Sequence, residues 1–148
     1  MTYIEAPNNY LGHGDHIFLA GGITGCPDWQ AELVDLLKDE DIILVNPRRK
    51  NFPISDPNAA RAQIEWEFYH LNEAAAISFW FPKETLCPIV LYELGAWSMY
   101  KPKMLFIGVD PEYTRRSDVL IQTSLRRPYI KVVFSLEDLS KQIKNFLV

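Results

Sequence analysis

The stretch AAISFWFPKETLCPIVLYELGAW (75–97) decides how the chain folds. Its first seven residues are apolar or small and make an unbroken run of strand length. Pro82 ends the run, because proline has no N–H to give to a ladder. The loop that follows leads to Thr85 or Cys87, either of which is placed to cap a helix with Pro88 early in it. One acid, Glu93, stands in that helix among residues that are otherwise almost wholly apolar. Glu93 follows Ile89 by four residues and Val90 by three, and precedes Trp97 by four, so it shares their face, the face expected to meet a sheet. Burying an unpaired carboxylate costs several kcal/mol or raises its pKa. Two accounts satisfy the spacing: a structural glutamate bonded to a backbone group or a tyrosine, and a glutamate that does chemistry.

Similar strand–helix units lie on either side. HIFLAGG (16–22) reads as a buried strand, and PDWQAELVDLLKDE (27–40) as a helix with Trp29, Leu33, Leu36 and Leu37 at helical spacing and Pro27 in its first turn. IILVN (42–46) is a second strand, stopped by Pro47. After the loop RRKNFPISDP (48–57), with Ser55 or Asp56 as cap, a helix over about 58–74 turns Ile64, Phe68 and Leu71 inward. The third strand is 75–81, the fourth KMLFIGV (103–109) and the fifth YIKVVF (129–134). RRSDVLIQTSLRR (115–127) reads as a helix. SLEDLSKQIKNFLV (135–148) reads as another, opened by a Ser-x-x-Asp cap, with Leu136, Leu139, Ile143 and Leu147 at helical spacing. Apolar strands alternating with helices imply a parallel sheet covered on both faces. The expectation is a single domain over 1–148: a flavodoxin-like, doubly wound α/β fold with a five-stranded parallel sheet of order 2-1-3-4-5. Residues 1–15 form an N-terminal arm or loop. The ligand crevice of such a fold lies at the carboxyl ends of the strands, at the switch point between the first and third.

A net charge of -4 gives no basic footprint for a nucleic-acid polymer, and the run Arg48, Arg49, Lys50 reads as a solvated loop. Two cysteines, Cys26 and Cys87, make neither a disulfide framework nor a zinc cluster, which points to a reducing compartment. The N-terminus lacks the basic and apolar regions of a signal peptide, and no segment approaches the length of a membrane span. The expectation is a cytoplasmic protein without membrane, metal or cofactor.

The topology gathers GGITG (21–25), NPRR (46–49), FPKET (81–85) and DPEYTRRSD (110–118) at one rim. The glycine loop admits close backbone approach to a ligand or serves as a tight turn. It has neither the spacing of a dinucleotide fingerprint nor the Gly-Lys-Ser/Thr of a phosphate loop. On the helix before, Gln63, Glu67 and His70 share a polar stripe, and Trp66 packs or stacks. Glu65 and Glu73 read as solvated, His70 as a structural hydrogen-bonder, and Cys87 as packed rather than reactive.

Five segments, IFLAGGITGCPDWQ, VNPRR, QIEWEFYHL, ISFWFPKETLCPIVLYELGAW and GVDPEYTRRSDVLIQT, resemble the nucleoside 2-deoxyribosyltransferase family, and most closely its shorter bacterial and phage-type branch. The resemblance spans most of the chain from Ile17 to Thr123, and ELG in order with the other segments is its most specific part. It implies that Glu93 is the nucleophile that attacks C1′ of a 2′-deoxyribonucleoside, forming a glycosyl ester that a second base or water resolves, as in retaining glycosidases. It implies that Glu67, beside Trp66, manages the proton of the departing base. Typical members carry an aspartate six residues before the nucleophile; here that position is Cys87, and Glu84 is the nearest acid. By their place at the rim of the sheet Gly21, Gly22, Ile23, Thr24 and Phe81 are expected to bind substrate. Asn46 and Arg48 would meet the sugar or base, with Arg48 near any 5′-phosphate. Asp118 falls where typical members offer an asparagine across a subunit interface. The implied partners are a nucleoside or nucleotide, a free base and further copies of the chain. Hydrolysis of a nucleoside or its 5′-monophosphate, with water as acceptor, fits the same residues. A non-catalytic nucleotide-binding module fits the missing aspartate.

Overall fold

The computed structural model describes residues 1–147. Five strands, β1 (Thr2–Glu5), β2 (His16–Gly21), β3 (Ile43–Asn46), β4 (Ala76–Phe81) and β5 (Met104–Val109), form one sheet of order β1-β3-β2-β4-β5. Every pairing in it is parallel. Five helices accompany them: α1 (Trp29–Leu36), α2 (Ala59–Glu73), α3 (Pro88–Ser98), α4 (Arg116–Arg126) and α5 (Leu136–Leu147). β2 and β4 are buried along their whole length, as parallel strands covered on both sides must be. Their side chains alternate between two cores. Ile17 and Leu19 of β2 pack with Trp29 and Leu33 of α1 and with Leu139 and Ile143 of α5. Phe18 and Ala20 pack with Trp66 and Leu71 of α2 and with Val90 and Leu94 of α3. This is the expected flavodoxin-like α/β arrangement, with the order 2-1-3-4 preserved in β3-β2-β4-β5.

The outer strand differs. The segment read as an arm or loop supplies β1, whose Thr2, Tyr3, Ile4 and Glu5 pair with Ile43 through Asn46 on the free edge of β3. Four residues before Pro7 were too few to carry a strand signal, yet their β-branched and aromatic side chains suit a half-exposed edge. The segment 129–134 shrinks to a single bridge, Gly108 to Val133, with the Val109 N–H donating to Val133 O at 2.9 Å and the Val133 N–H to Ile107 O at 3.0 Å. Its neighbours Tyr129 and Phe134 turn to solvent, so apolar content alone gave the appearance of a strand.

Helix phase gives a second correction. α2 buries Ala59, Trp66, His70 and Leu71, while Ile64 and Phe68 are 64% and 70% exposed. The large indole of Trp66, its N–H donating to Asn8 O at 2.9 Å, sets the rotation of the helix and carries the smaller apolar residues outward. The cap of α5 is as read: Ser135 Oγ accepts from the Asp138 N–H at 3.1 Å.

Buried cations close two helix ends. The Lys103 ammonium donates to Leu71 O and Asn72 O, both at 3.0 Å, and to Ala74 O, at the end of α2. Arg127, 1% exposed, donates from Nε to Ser98 O and from Nη2 to Trp97 O, Tyr100 O and Lys103 O, at the end of α3. A fixed cation against carbonyls left over at a helix C-terminus is favourable on both dipole and hydrogen-bond grounds. Arg127→Met will strand those carbonyls at a cost of about 3–5 kcal/mol. A thermal melt of the variant should show Tm lowered by about 10 °C.

Candidate active site

The loops after β2 and β4 leave the sheet on opposite sides, and the crevice of a doubly wound sheet opens between such loops. A cavity of about 350 Å³ lies there, lined from β2 and its loop by Phe18, Ala20, Gly21, Gly22, Ile23 and Thr24. Thr85, Cys87, Pro88, Ile89, Val90 and Glu93 line the opposite side, and Pro47 and Glu67 complete it.

Local sequence explains how the walls meet. A Cβ on Gly21 would stand 2.2 Å from the Trp29 ring, and one on Gly22 would stand 2.8–3.0 Å from Pro82, Thr85 and the Cys87 sulfur. The glycine pair therefore brings the β2 loop against the β4 loop. Cys87, the N-cap of α3, has φ 53° and ψ 54°. A residue before proline is disfavoured in the right-handed helical region, and left-handed backbone at a non-glycine residue is strained. That strain turns the chain so that α3 starts at Pro88 and presents Glu93 to the cavity. The Cys87 thiol is buried, donates to Thr85 O at 3.6 Å and is pushed up to about 12, chiefly by burial, which makes it inert packing.

Glu93 is half-buried, and among the described residues its carboxyl accepts no hydrogen bond from a tyrosine or the backbone. Burial pushes it up to about 8 from an ordinary 4.5, and the Glu67 carboxylate adds to the rise. Burial raises Glu67 as well, against the pull of the Gln63 amide, which donates to it at 3.2 Å and to Pro47 O at 2.9 Å. The cavity thus holds two carboxyl groups with elevated proton affinity and, among the described residues, no lysine or arginine.

Of the residues singled out by sequence, Gly21, Gly22, Ile23, Thr24, Glu67 and Glu93 come together here. The others lie elsewhere. Asn46 is buried, donating to the Tyr3 hydroxyl at 2.8 Å and accepting from the Arg48 N–H at 2.9 Å. The Arg48 guanidinium is taken up by loop carbonyls rather than open to a ligand. Trp66 packs on His70 at 4.1 Å between ring centres, and Phe81 is fully buried against Phe79 and Tyr113. Glu84 is exposed, and Asp118 is exposed and paired with Arg115 at 3.3 Å. His70 is fully buried, its ring nitrogens meeting Trp66 O at 2.8 Å and the Tyr10 N–H at 3.2 Å, so it is structural and leaves the expected polar stripe to Gln63 and Glu67. Sequence reading missed Phe18, Ala20, Cys87, Pro88, Ile89 and Val90 as lining. Alternation along β2 was the available signal for Phe18, which must face the side opposite Leu19. Among the described residues no helix is long and apolar enough to cross a membrane, and no group of three His, Cys, Asp or Glu side chains is placed to hold a metal.

The raised Glu93 pKa has a stability consequence. The fold holds this proton more tightly than the unfolded chain between about 4.5 and about 8. The associated stability is complete below the unfolded pKa and is lost as pH rises through the folded one. Glu93→Gln, which cannot ionise, avoids the loss. Melting curves at about pH 5 and about pH 9 should show the variant gaining on the parent by several degrees at the higher pH; a constant gap would place the carboxyl in water.

Among curated proteins no sequence matches the chain. A family model described as nucleoside 2-deoxyribosyltransferase like matches residues 14–113, which run from just before β2 to Tyr113 and include both loops and both acids of the cavity. With that match over more than half its length, the chain belongs to the nucleoside 2-deoxyribosyltransferase-like family.

Proposed function

We propose that the protein transfers a 2-deoxyribosyl group from one nucleobase to another through an ester on Glu93. The observation that carries this reading is a carboxyl on α3, without a counter-ion, facing an apolar cavity that also contains a second carboxyl. Ionised Glu93 attacks C1′ from the face opposite the base. The C1′–N bond breaks with its electrons going to the base nitrogen, and a C1′–O bond to Glu93 forms. Glu67, whose raised proton affinity suits a donor near neutrality, protonates the leaving base. A second base then attacks C1′, gives its N–H proton to Glu67 and releases Glu93. Two inversions retain the configuration, and the apolar walls leave the oxocarbenium-like transition state exposed mainly to the Glu93 charge. The step consumes no cofactor. Among the described residues no lysine or arginine lines the cavity to meet a 5′-phosphate, since Arg48 is engaged by loop carbonyls.

Incubation with a deoxynucleoside and a different free base should yield the exchanged nucleoside. Release of free base alone, at an unchanged rate when acceptor is added, would identify a hydrolase instead. Glu93→Ala should lose at least about a thousandfold in kcat, and mass spectrometry after a 2-fluoro-substituted deoxynucleoside should find the adduct on Glu93. Because attack needs the ionised form, kcat/KM should rise with pH through about 8.

The family's assembly supplies a second element of the proposal, a homo-oligomer. α2 and α3 turn Ile64, Phe68, Ile89 and Tyr92 to solvent, Tyr92 at 79%. Ile89 also lines the cavity. Large exposed apolar side chains beside a cavity suit an interface, and a second copy seated there would exclude water from the site. Light scattering should give a mass above that of one chain, and Phe68→Glu with Tyr92→Glu should return it to the monomer value with loss of activity.

A further inference from the structure

We propose that Arg48 is a positioning residue that sets the form of the β2–α1 loop, so that the Ile23 and Thr24 amides face the cavity. Its Nη2 donates to Ile23 O at 2.6 Å and Cys26 O at 3.0 Å. Its Nη1 donates to Pro27 O and to Gln30 Oε1, both at 2.9 Å. One planar fork thus gathers three carbonyls of a single loop and the side chain of the helix that follows, with Asp28 at 3.3 Å as the accompanying anion. Gly22 O is drawn the same way, by the Trp29 indole N–H at 2.8 Å and the Gln30 amide at 3.4 Å.

The direction of these carbonyls fixes the amides. In a trans peptide the C=O of one residue and the N–H of the next point oppositely. With Gly22 O held toward α1 and Ile23 O toward Arg48, the N–H groups of Ile23 and Thr24 point away from both. That is the side of α2, α3 and the cavity these two residues line. Among the described residues neither N–H has a backbone acceptor. Two adjacent donors opposite a carboxyl suit a hydroxyl oxygen of a bound sugar. Arg48 is itself seated from the far edge of the sheet: its N–H is accepted by Asn46 Oδ1, and Asn46 donates to the Tyr3 hydroxyl on β1. The edge strand thereby reaches the site through three residues. The kinetic arm of the test rests on the deoxyribosyl reading; the loop arm does not.

Hydrogen exchange by mass spectrometry on the full chain reads the loop directly. Arg48→Lys keeps the charge opposite Asp28 and loses the fork, so exchange over 22–36, whose hydrogen-bonded amides are those of α1 behind the loop, should accelerate by about tenfold or more while β4 stays protected. Asn46→Ser, which frees the Arg48 backbone, should move the same peptides in the same direction by less, and it carries the test if the lysine variant does not fold. Asp28→Asn, which can still cap α1, should leave the loop unchanged. In kinetics Arg48→Lys should raise KM for the deoxynucleoside by about tenfold with kcat within about threefold and the pH profile unmoved. A lysine that protects the loop as well as arginine, or a loosened loop with KM unchanged, would overturn the proposal. A parent protein without exchange activity would sink the deoxyribosyl reading and leave hydrogen exchange to decide the clamp.

Discussion

The site depends on one electrostatic constraint: the Glu93 carboxyl is taken out of water without being given a cation. Desolvation raises its proton affinity, and the nearby Glu67 raises it further. An arginine at hydrogen-bond distance would hold the carboxylate ionised at any physiological pH, and the same ion pair would oppose attack on a sugar carbon. On the proposed reading, leaving the acid unpaired keeps its ionised oxygen reactive, at a cost in stability that the rest of the fold must offset.

The offset is visible in the packing around it. Two buried layers sandwich β2 and β4, and the cavity opens only where the loops after those strands part. Gly21 and Gly22 let the walls approach until a methyl group would not fit between them. The strained backbone at Cys87 is held by the same contact, since its sulfur sits against Gly22. Removing side-chain bulk on one wall and storing backbone strain on the other are two halves of one arrangement, and both serve to point α3 at the crevice.

Much of this was legible in the chain. Unbroken apolar runs ended by proline or glycine located the three central strands, and the distances of Glu93 from Val90 and Trp97 placed it on the inner face of its helix, although Ile89, read as sharing that face, is turned to solvent. Edge elements were not legible, because four residues of β1 and a single bridge at Val133 carry too little pattern to separate from loop or strand. Helix phase failed in α2 because counting apolar residues favours Ile64 and Phe68, whereas the fold is decided by the volume of Trp66. Arg48, Asn46, Trp66 and Phe81 illustrate another limit. Sequence located them near the carboxyl rim of the sheet, but the direction of a side chain there is set by which carbonyls and rings it meets, and those come from distant segments such as Tyr3, Asn8 and Tyr113.

The buried cations show a division of labour that follows from these contacts. Arg48, Lys103 and Arg127 all direct their donors at backbone carbonyls: a loop in the first case and the ends of α2 and α3 in the others. Carbonyls at such places need partners, and a cation supplies them with stronger hydrogen bonds than a neutral donor would. Cations used in this way are fixed in orientation and screened by the dipoles they face. They stabilise the frame, and none of them is among the groups that set the proton affinity of Glu93 or Glu67. A chain that had instead turned Arg48 into the cavity would have lost the order of the glycine loop and neutralised Glu93 in the same move. On the proposed reading, the position of that one guanidinium links the shape of the glycine loop to the reactivity of the carboxyl across from it.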